Sequence, residues 1–260
     1  DLGGTSFDIG IIAHGQIPVE PEPAFAGHKL NLPMVTIDSI GAGTGTVVHV
    51  DKLLKRITLG PESAGALVGT CYQYSDITVG DIDLALGYIN PDYFLGGSVK
   101  LNREAALRAL DERLAKPLEG DVYDISSKVL DLLHSQLRDA VNSRLLAKGY
   151  NPAEYTLIAY GGSGPLHMWG VAEGLELAGI VTVPWAAAFS AYGVAAGDYF
   201  HRYQKSVVSV IPRGMPDEFK MWQAEPLNQA WEELEQKAYE ELGREGFPGE
   251  KVSFRYFVYA

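Results

Sequence analysis

The first eight residues, Asp1-Leu-Gly-Gly-Thr-Ser-Phe-Asp8, combine glycines, hydroxyls and carboxylates in a pattern that could hold a phosphorylated ligand. Two adjacent glycines at a bend lack Cβ atoms, so backbone N–H groups there can approach an anion closely. The hydroxyls of Thr5 and Ser6 add donors, and an aspartate at the bend could hold a Mg²⁺-bound water beside phosphates. The pattern is equally typical of an ordinary β-hairpin turn, and both interpretations stay open.

A second glycine-rich stretch, Gly161-Gly-Ser-Gly-Pro165, lies between a predicted strand and a predicted helix. A helix N-terminus behind such a loop favours a phosphate or a nucleoside. The stretch is not a nucleophile elbow, because Gly-x-Ser-x-Gly requires glycine where Pro165 stands. The alternative is a tight packing turn without a ligand.

A third glycine cluster, Gly41-Ala-Gly-Thr-Gly-Thr46, does not complete the dinucleotide-binding fingerprint. Thr46 replaces the last glycine, and a β-like run over 47–50 follows where the fingerprint requires a helix. The sequence also lacks the Walker A pattern. We therefore expect neither a Rossmann nor a P-loop nucleotide site.

The six histidines do not show a metal-site spacing such as His-Glu-x-x-His, and Cys71 is the single cysteine, which argues against a structural zinc site. His134 lies one residue beyond an apolar helical stripe and is expected at the surface. His167 follows the second glycine stretch and is the one histidine near predicted chemistry, with packing at the helix start as the alternative. Cys71 is expected to be an inert thiol, because no base partner is evident.

Composition limits the classes of function. The chain has 260 residues, of which 47% are hydrophobic, and its 21 basic against 33 acidic residues give a net charge of −12. These values are typical of a globular protein with one large or two small domains. A nucleic-acid binder needs clustered cationic side chains, and a membrane span needs ~20 apolar residues. We therefore expect a cytoplasmic protein that binds neither, since one cysteine also favours a reducing compartment.

Hydrophobic periodicity predicts an α/β domain in which short strands alternate with helices. The expected elements are, in chain order, a β-hairpin over 7–19 that turns at His14-Gly15, a short buried strand over 33–38, strands over 46–50 and 55–59, helices over 103–115 and 124–148, and a strand–loop–helix–strand unit over 155–183. Asn102 is the expected N-cap of the first helix. Residues 216–250 carry ten acidic and three basic residues and predict an amphipathic helix with an acidic, solvated face.

Five stretches in this order resemble motifs of the hydantoinase A / 5-oxoprolinase family, within the actin-like ATPase superfamily. They are Asp1–Asp8, Ile37–Thr46, Gly60–Gly65, Leu86–Asp92 with Phe94–Gly97, and Tyr160–His167. The resemblance covers residues 1 to about 205. Within the family the chain looks most like the nucleotide-binding subunits of acetone and acetophenone carboxylases, because Pro184–Gly193 is close to the ketone-carboxylase pattern.

The resemblance implies an α/β fold: an actin-like ATPase (ribonuclease H-like) lobe with inserted helices over 1–205, then a C-terminal helix and the start of a β region over 206–260. The chain has no initiator Met, and we expect it to be part of a longer protein whose N-terminal lobe lies outside it. ATP and Mg²⁺ are the implied cofactors, with the first glycine stretch as a phosphate loop and the second on the adenosine side.

The resemblance also implies the site residues, carried over position by position. These are Asp1 and Asp8 for catalysis, Asp1 for the metal, and Gly3, Gly4, Thr5, Ser6, Gly161, Gly162, Ser163 and Gly164 for the nucleotide. Three further acidic residues, Asp38, Glu62 and Asp81, lie inside matched stretches. Metal-binding and structural roles are both open for them.

The implied activity is that of a subunit of an ATP-dependent ketone carboxylase. Such a subunit phosphorylates a small ketone as its enolate, bicarbonate or both, before carboxylation at a metal site on a hydantoinase B-like partner subunit. One alternative is an ATP-dependent hydantoinase or 5-oxoprolinase that opens a cyclic amide. The other is a non-catalytic scaffold subunit that binds nucleotide.

Overall fold

The computed structural model describes residues 1–208 and 213–258, and it divides into two compact units, 1–195 and 196–260. The boundary expected after residue 205 remains a prediction. The strands are β1 (Phe7–Gly10), β2 (Val19–Glu20), β3 (Ala24–Phe25), β4 (His28–Lys29), β5 (Met34–Val35), β6 (Ile37–Ile40), β7 (Thr46–Asp51), β8 (Arg56–Ser63), β9 (Thr156–Ile158) and β10 (Gly179–Val181). The helices are α1 (Val79–Ala85), α2 (Arg103–Leu110), α3 (Val122–Ala147), α4 (Gly164–Ala172), α5 (Phe189–Ala196) and α6 (Asp217–Arg244).

The strands of the described residues form five two-stranded pairs. Four pairs are antiparallel: β1 with β6, β2 with β5, β3 with β4, and β7 with β8. The fifth pair, β9 with β10, is parallel, and α4 lies between these two strands in the chain. This strand–helix–strand unit confirms the α/β class that periodicity predicts.

The hairpin predicted over 7–19 is wrong in its pairing. The turn at His14-Gly15 does form, because both residues have a positive φ and Ala13 bridges Gln16. Beyond this bridge, Pro18 has no N–H to continue the ladder. β1 pairs instead with β6, whose first residue, Ile37, follows Phe7 by 30 positions in the chain.

The strand predicted over 33–38 is present as β5 and β6, but the prediction that it is buried is wrong. The side chains of Met34, Val35 and Ile37 are 46%, 49% and 57% exposed. A pattern of high β-propensity indicates that a segment can form a strand. It does not indicate whether other parts of the protein cover that strand.

The helices of the first unit confirm the sequence pattern. Asn102 accepts a hydrogen bond from the N–H of Ala105 and caps α2, which continues as a π-helical turn over Asp111–Ala115. The apolar stripe of α3 is fully buried at Val129, Leu133 and Leu137. Because α3 packs against both α1 and α4, it forms the support for the loops that precede those two helices.

The second unit contains the predicted amphipathic helix, α6. Ala230 and Ala238 are buried on its apolar face, and Trp231 and Tyr239 pack against aromatic rings further along the chain. Among the described residues, no helix combines the length and apolar character that a membrane span requires.

Candidate functional site

The first glycine stretch forms a tight bend at the start of β1. The N–H of Gly3 donates to the carbonyl of Ser6 at 3.1 Å, and Leu2 bridges Phe7. Within the described residues, the N–H groups of Gly4, Thr5 and Ser6 donate no hydrogen bond to the protein. Three successive free amides on an accessible bend are a suitable cradle for an anion.

The second glycine stretch contacts the first directly. The N–H of Leu2 donates to the carbonyl of Tyr160 at 2.9 Å, and the N–H of Ser163 donates to the carbonyl of Leu2 at 3.0 Å. The hydroxyl of Ser163 also donates to the carbonyl of Gly3 at 3.1 Å. The structure therefore brings the two predicted loops together, 160 positions apart in the chain.

Gly161 is the residue that permits this approach. A Cβ atom at this position would lie 2.2 Å from a carboxylate oxygen of Asp1 and 2.5 Å from the carbonyl oxygen of Leu2. Its φ of +91° is also one that L side chains rarely adopt. At the neighbouring Gly162, a Cβ atom would meet nothing within 4 Å, so that side of the loop is open.

The third glycine cluster supports the first bend from another side. The N–H groups of Thr44 and Gly45 donate to the carbonyls of Gly3 at 3.2 Å and Gly4 at 2.7 Å. A Cβ atom at Gly43 would lie 2.5 Å from the carbonyl oxygen of Gly3. The cluster is therefore a packing partner of the predicted phosphate loop.

The two carboxylates predicted for catalysis lie at the ends of the bend. Asp1 accepts a hydrogen bond from the hydroxyl of Ser190 at 3.1 Å, and Asp8 accepts one from the hydroxyl of Ser6 at 2.9 Å. In the described ranges, no group of three or more His, Cys, Asp or Glu side chains could hold a metal ion. Mg²⁺ commonly uses only one or two protein carboxylates when phosphates complete its shell, so this site fits a nucleotide-borne Mg²⁺.

The other acidic residues of the matched stretches have structural partners. Asp38 forms an ion pair with Arg144 at 3.2 Å. Glu62 and His49 lie 2.9 Å apart at the surface, and this hydrogen bond lowers the pKa of Glu62. Both partners belong to the scaffold around the bend.

Asp81 is fully buried and caps α1. Its carboxylate accepts hydrogen bonds from the backbone N–H groups of Thr70, Cys71 and Thr78, and from the Thr70 hydroxyl. Four donors compensate for the removal of the charge from water. The neighbouring Cys71 is buried too, and burial with the nearby Asp81 raises the pKa of its thiol, as expected of an inert cysteine.

A buried polar chain that the sequence analysis missed runs beneath the second loop. Asp83 and His167 are 0% and 1% exposed, with 3.3 Å between a carboxylate oxygen and Nε2 of the imidazole. On its other side, Nδ1 of His167 lies 3.0 Å from Nε2 of His134. The signal that could have located Asp83 is a charged residue inside the apolar run of α1.

The prediction that His134 lies at the surface is wrong. The ring is half-buried against α4, where Gly170 has no side chain and leaves room for it. Burial and the nearby His167 lower the pKa of His134 to about 4. His134 is therefore neutral near pH 7, and it hydrogen-bonds to His167.

Two family models match this chain. The model described as hydantoinase/oxoprolinase matches residues 1–203, and the model of the hydantoinase/oxoprolinase C-terminal domain matches residues 214–260. The chain belongs to the hydantoinase/oxoprolinase family. This membership confirms the family that the glycine-rich stretches predict.

Within the hydantoinase/oxoprolinase family, three relatives match nearly the whole chain. The chain is 42% identical to the acetone carboxylase beta subunit of Xanthobacter autotrophicus, over 98% of its length. It is 32% identical both to the acetophenone carboxylase gamma subunit of Aromatoleum aromaticum and to the caprolactamase subunit alpha of Pseudomonas jessenii, over 98% and 96% of its length. These matches cover 36%, 35% and 35% of the relatives, so the chain spans about a third of each.

One solved structure of the family provides a comparison of the fold. It is a nucleotide-free acetone carboxylase, from work on the mechanism of ATP-dependent acetone carboxylation. The TM-score is 0.82 at 41% identity, and the match covers 97% of this chain and 36% of that one. The chain is thus similar to part of a subunit of an ATP-dependent enzyme.

Proposed function

We propose that this chain is the nucleotide-binding lobe of an ATP-dependent ketone carboxylase subunit, with the actin-like ATPase fold. The observation that carries the proposal is the meeting of the two glycine loops at the carbonyl of Gly3, which accepts from the hydroxyl of Ser163 and also from the N–H of Thr44 in the third glycine cluster. Loops held at one point can act on one ligand. Similarity to the acetone and acetophenone carboxylase subunits favours ketone carboxylation.

The free amides of Gly4, Thr5 and Ser6 are proposed to donate to phosphate oxygens of ATP, and the open side of the second loop at Gly162 to face the nucleoside. When bound, ATP would supply the phosphoryl group, and Mg²⁺ would neutralise charge on its phosphates. Asp1 is proposed to hold the Mg²⁺ hydration shell, with its carboxylate oriented by the hydroxyl of Ser190.

The proposed reaction transfers the γ-phosphoryl group of ATP, with ADP as the leaving group, to the oxygen of a ketone enolate, to bicarbonate, or to both, ahead of carboxylation with a hydantoinase B-like partner subunit. Phosphoryl transfer depends mainly on positioning and on stabilisation of charge. Backbone donors on a rigid bend provide both functions. Asp8, which is oriented by the hydroxyl of Ser6, is proposed to orient the attacking oxygen.

The test is ATP turnover by the complete protein with acetone or acetophenone, in the presence and absence of bicarbonate. Asp1→Ala should abolish ketone-stimulated turnover while the protein remains folded. Asp139→Ala, at an exposed position of α3, is the matched control and should keep the turnover of the parent protein. Unchanged turnover in Asp1→Ala would refute the role given to this carboxylate.

A second candidate is the ATP-dependent opening of a cyclic amide. It is favoured by the 32% identity to the caprolactamase subunit alpha. Product analysis separates the two: bicarbonate-dependent formation of a keto acid supports the carboxylase, whereas ring opening of caprolactam or a hydantoin supports the amidohydrolase. A scaffold subunit, the third possibility, would bind ATP without substrate-stimulated hydrolysis.

A further inference from the structure

Two carboxylates on α1, both fully buried, have opposite surroundings. Asp81 accepts hydrogen bonds from four donors. In the described residues, neither carboxylate oxygen of Asp83 accepts a hydrogen bond of good geometry, and Nε2 of the His167 imidazole lies 3.3 Å from one of them. Burial raises the pKa of Asp83, and the contact with His167 partly offsets this rise.

A buried pair of this kind contributes little net stability. Well-packed apolar residues of similar volume in place of a buried ion pair often leave a protein equally stable or more stable. What the polar pair supplies instead is a specific contact: each buried polar group has the other as its neighbour at 3.3 Å, and separating the two would leave both in apolar surroundings. The contacts around Asp83 and His167 show that the pair orients the starts of α1 and α4.

The pair joins α1 and α4, and the start of each helix is connected by hydrogen bonds to the same atom, the carbonyl oxygen of Gly3. α1 begins beside Thr44, whose carbonyl accepts from the N–H of Gly80 at 2.6 Å, and the N–H of Thr44 donates to the carbonyl of Gly3. Ser163 immediately precedes α4, and its hydroxyl donates to that same carbonyl. Asp83 and His167 lie four and three residues after their helices begin.

We propose that Asp83 and His167 are positioning residues: their buried contact fixes α1 against α4 and thereby holds the Gly3–Gly4 bend in the shape that binds the phosphates. The hydrogen bond between Nε2 of His134, on α3, and Nδ1 of His167 orients the His167 ring from its other side. The proposal rests on the proposed function in one respect, the identity of the ligand. Neither Asp83 nor His167 touches that ligand.

The experiment compares two replacements in the complete protein. Asp83→Leu with His167→Phe replaces the polar pair by apolar side chains of similar volume. Asp83→Asn keeps a polar side chain of the same shape beside Nε2 of His167, because the amide has an oxygen that can accept and an NH2 group that can donate. Ser126→Ala is the control: it removes a different buried polar group, a hydroxyl on α3 that has no hydrogen-bond partner in the described residues.

The expected result is a split between stability and activity. The double variant should keep the thermal stability of the parent protein, while its KM for ATP rises about tenfold or more, because a small displacement of binding groups is costly. Asp83→Asn should keep a KM for ATP near that of the parent protein. A double variant that is folded and has an unchanged KM and kcat would overturn the proposal, as would a loss of activity that only follows a loss of stability.

Hydrogen–deuterium exchange gives a readout that does not depend on catalysis. In the double variant, and in Asp83→Leu alone if the double variant does not fold, residues 1–6 and 159–166 should exchange severalfold faster, while residues 141–147 of α3 stay protected. Unchanged protection of both loops would overturn the proposal. If the parent protein does not bind ATP, the proposed function fails, and exchange alone decides whether the pair holds the loops.

Discussion

Replacement of Gly161 by alanine is a direct test of the contact between the two glycine loops. The φ of +91° lies in the left-handed half of the backbone map, which costs a residue with a Cβ about 1–2 kcal/mol. The new Cβ would also lie 2.2 Å from Asp1 and 2.5 Å from Leu2. Displacement of that segment adds a further cost of about 1–3 kcal/mol.

Alanine also restricts the unfolded chain, which offsets about 0.4–1 kcal/mol of this cost. The expected loss in the free energy of unfolding is therefore about 1–5 kcal/mol, against the ~5–15 kcal/mol typical of folded proteins. Urea denaturation of the complete protein measures it. A lower midpoint at unchanged slope would indicate a loss of stability.

Gly162→Ala is the matched control for stability. A Cβ atom there would meet nothing within 4 Å, so the free energy of unfolding should change by no more than about 0.5 kcal/mol. Equal effects of the two replacements would refute the reasoning, because they differ only in the space and backbone geometry available to the methyl group.

Three further predictions use the same measurement. Gly43→Ala should lower the free energy of unfolding by about 1–3 kcal/mol, because its Cβ would lie 2.5 Å from the backbone of the first bend, whereas Gly41→Ala has open space and should be neutral. Asp81→Asn should cost about 1–3 kcal/mol, since an amide turns one of its acceptors into a donor facing buried N–H groups, whereas Asp76→Asn, at an exposed side chain, should not. The pKa of His134 is lowered from 6.5 to about 4. Between these two pH values, the unfolded chain therefore binds a proton at His134 that the native protein does not bind. Stability should therefore fall as pH drops from 6.5 to about 4, and His134→Gln should flatten this slope; a slope unchanged in the variant would assign the pH dependence to other groups.

The elements that the sequence predicts well are those with local causes. The cap at Asn102 depends on an amide three residues away, and the buried stripe of α3 repeats every three to four residues. Glycine spacing likewise identified both loops that meet at Gly3. Short-range patterns are written in neighbouring residues, so they can be recognised without knowledge of the fold.

The errors arise where distant segments decide the outcome. β1 pairs with β6, and this pairing depends on how the whole first unit folds. The local pattern instead favoured a hairpin between β1 and the segment that follows it. His134 lies outside the apolar stripe of its own helix, but α4 covers it. Neither partner can be identified from the residues on either side.

Local periodicity, helix caps and glycine spacing determined the α/β class, the helices and the positions of the two glycine-rich loops. Only the tertiary structure decided that Ser163 and Thr44 meet at one carbonyl, and that Asp83 lies against His167 in the core. The reason is physical. Those contacts join residues separated by 40 to 160 positions, and their geometry depends on how α1, α3 and α4 pack.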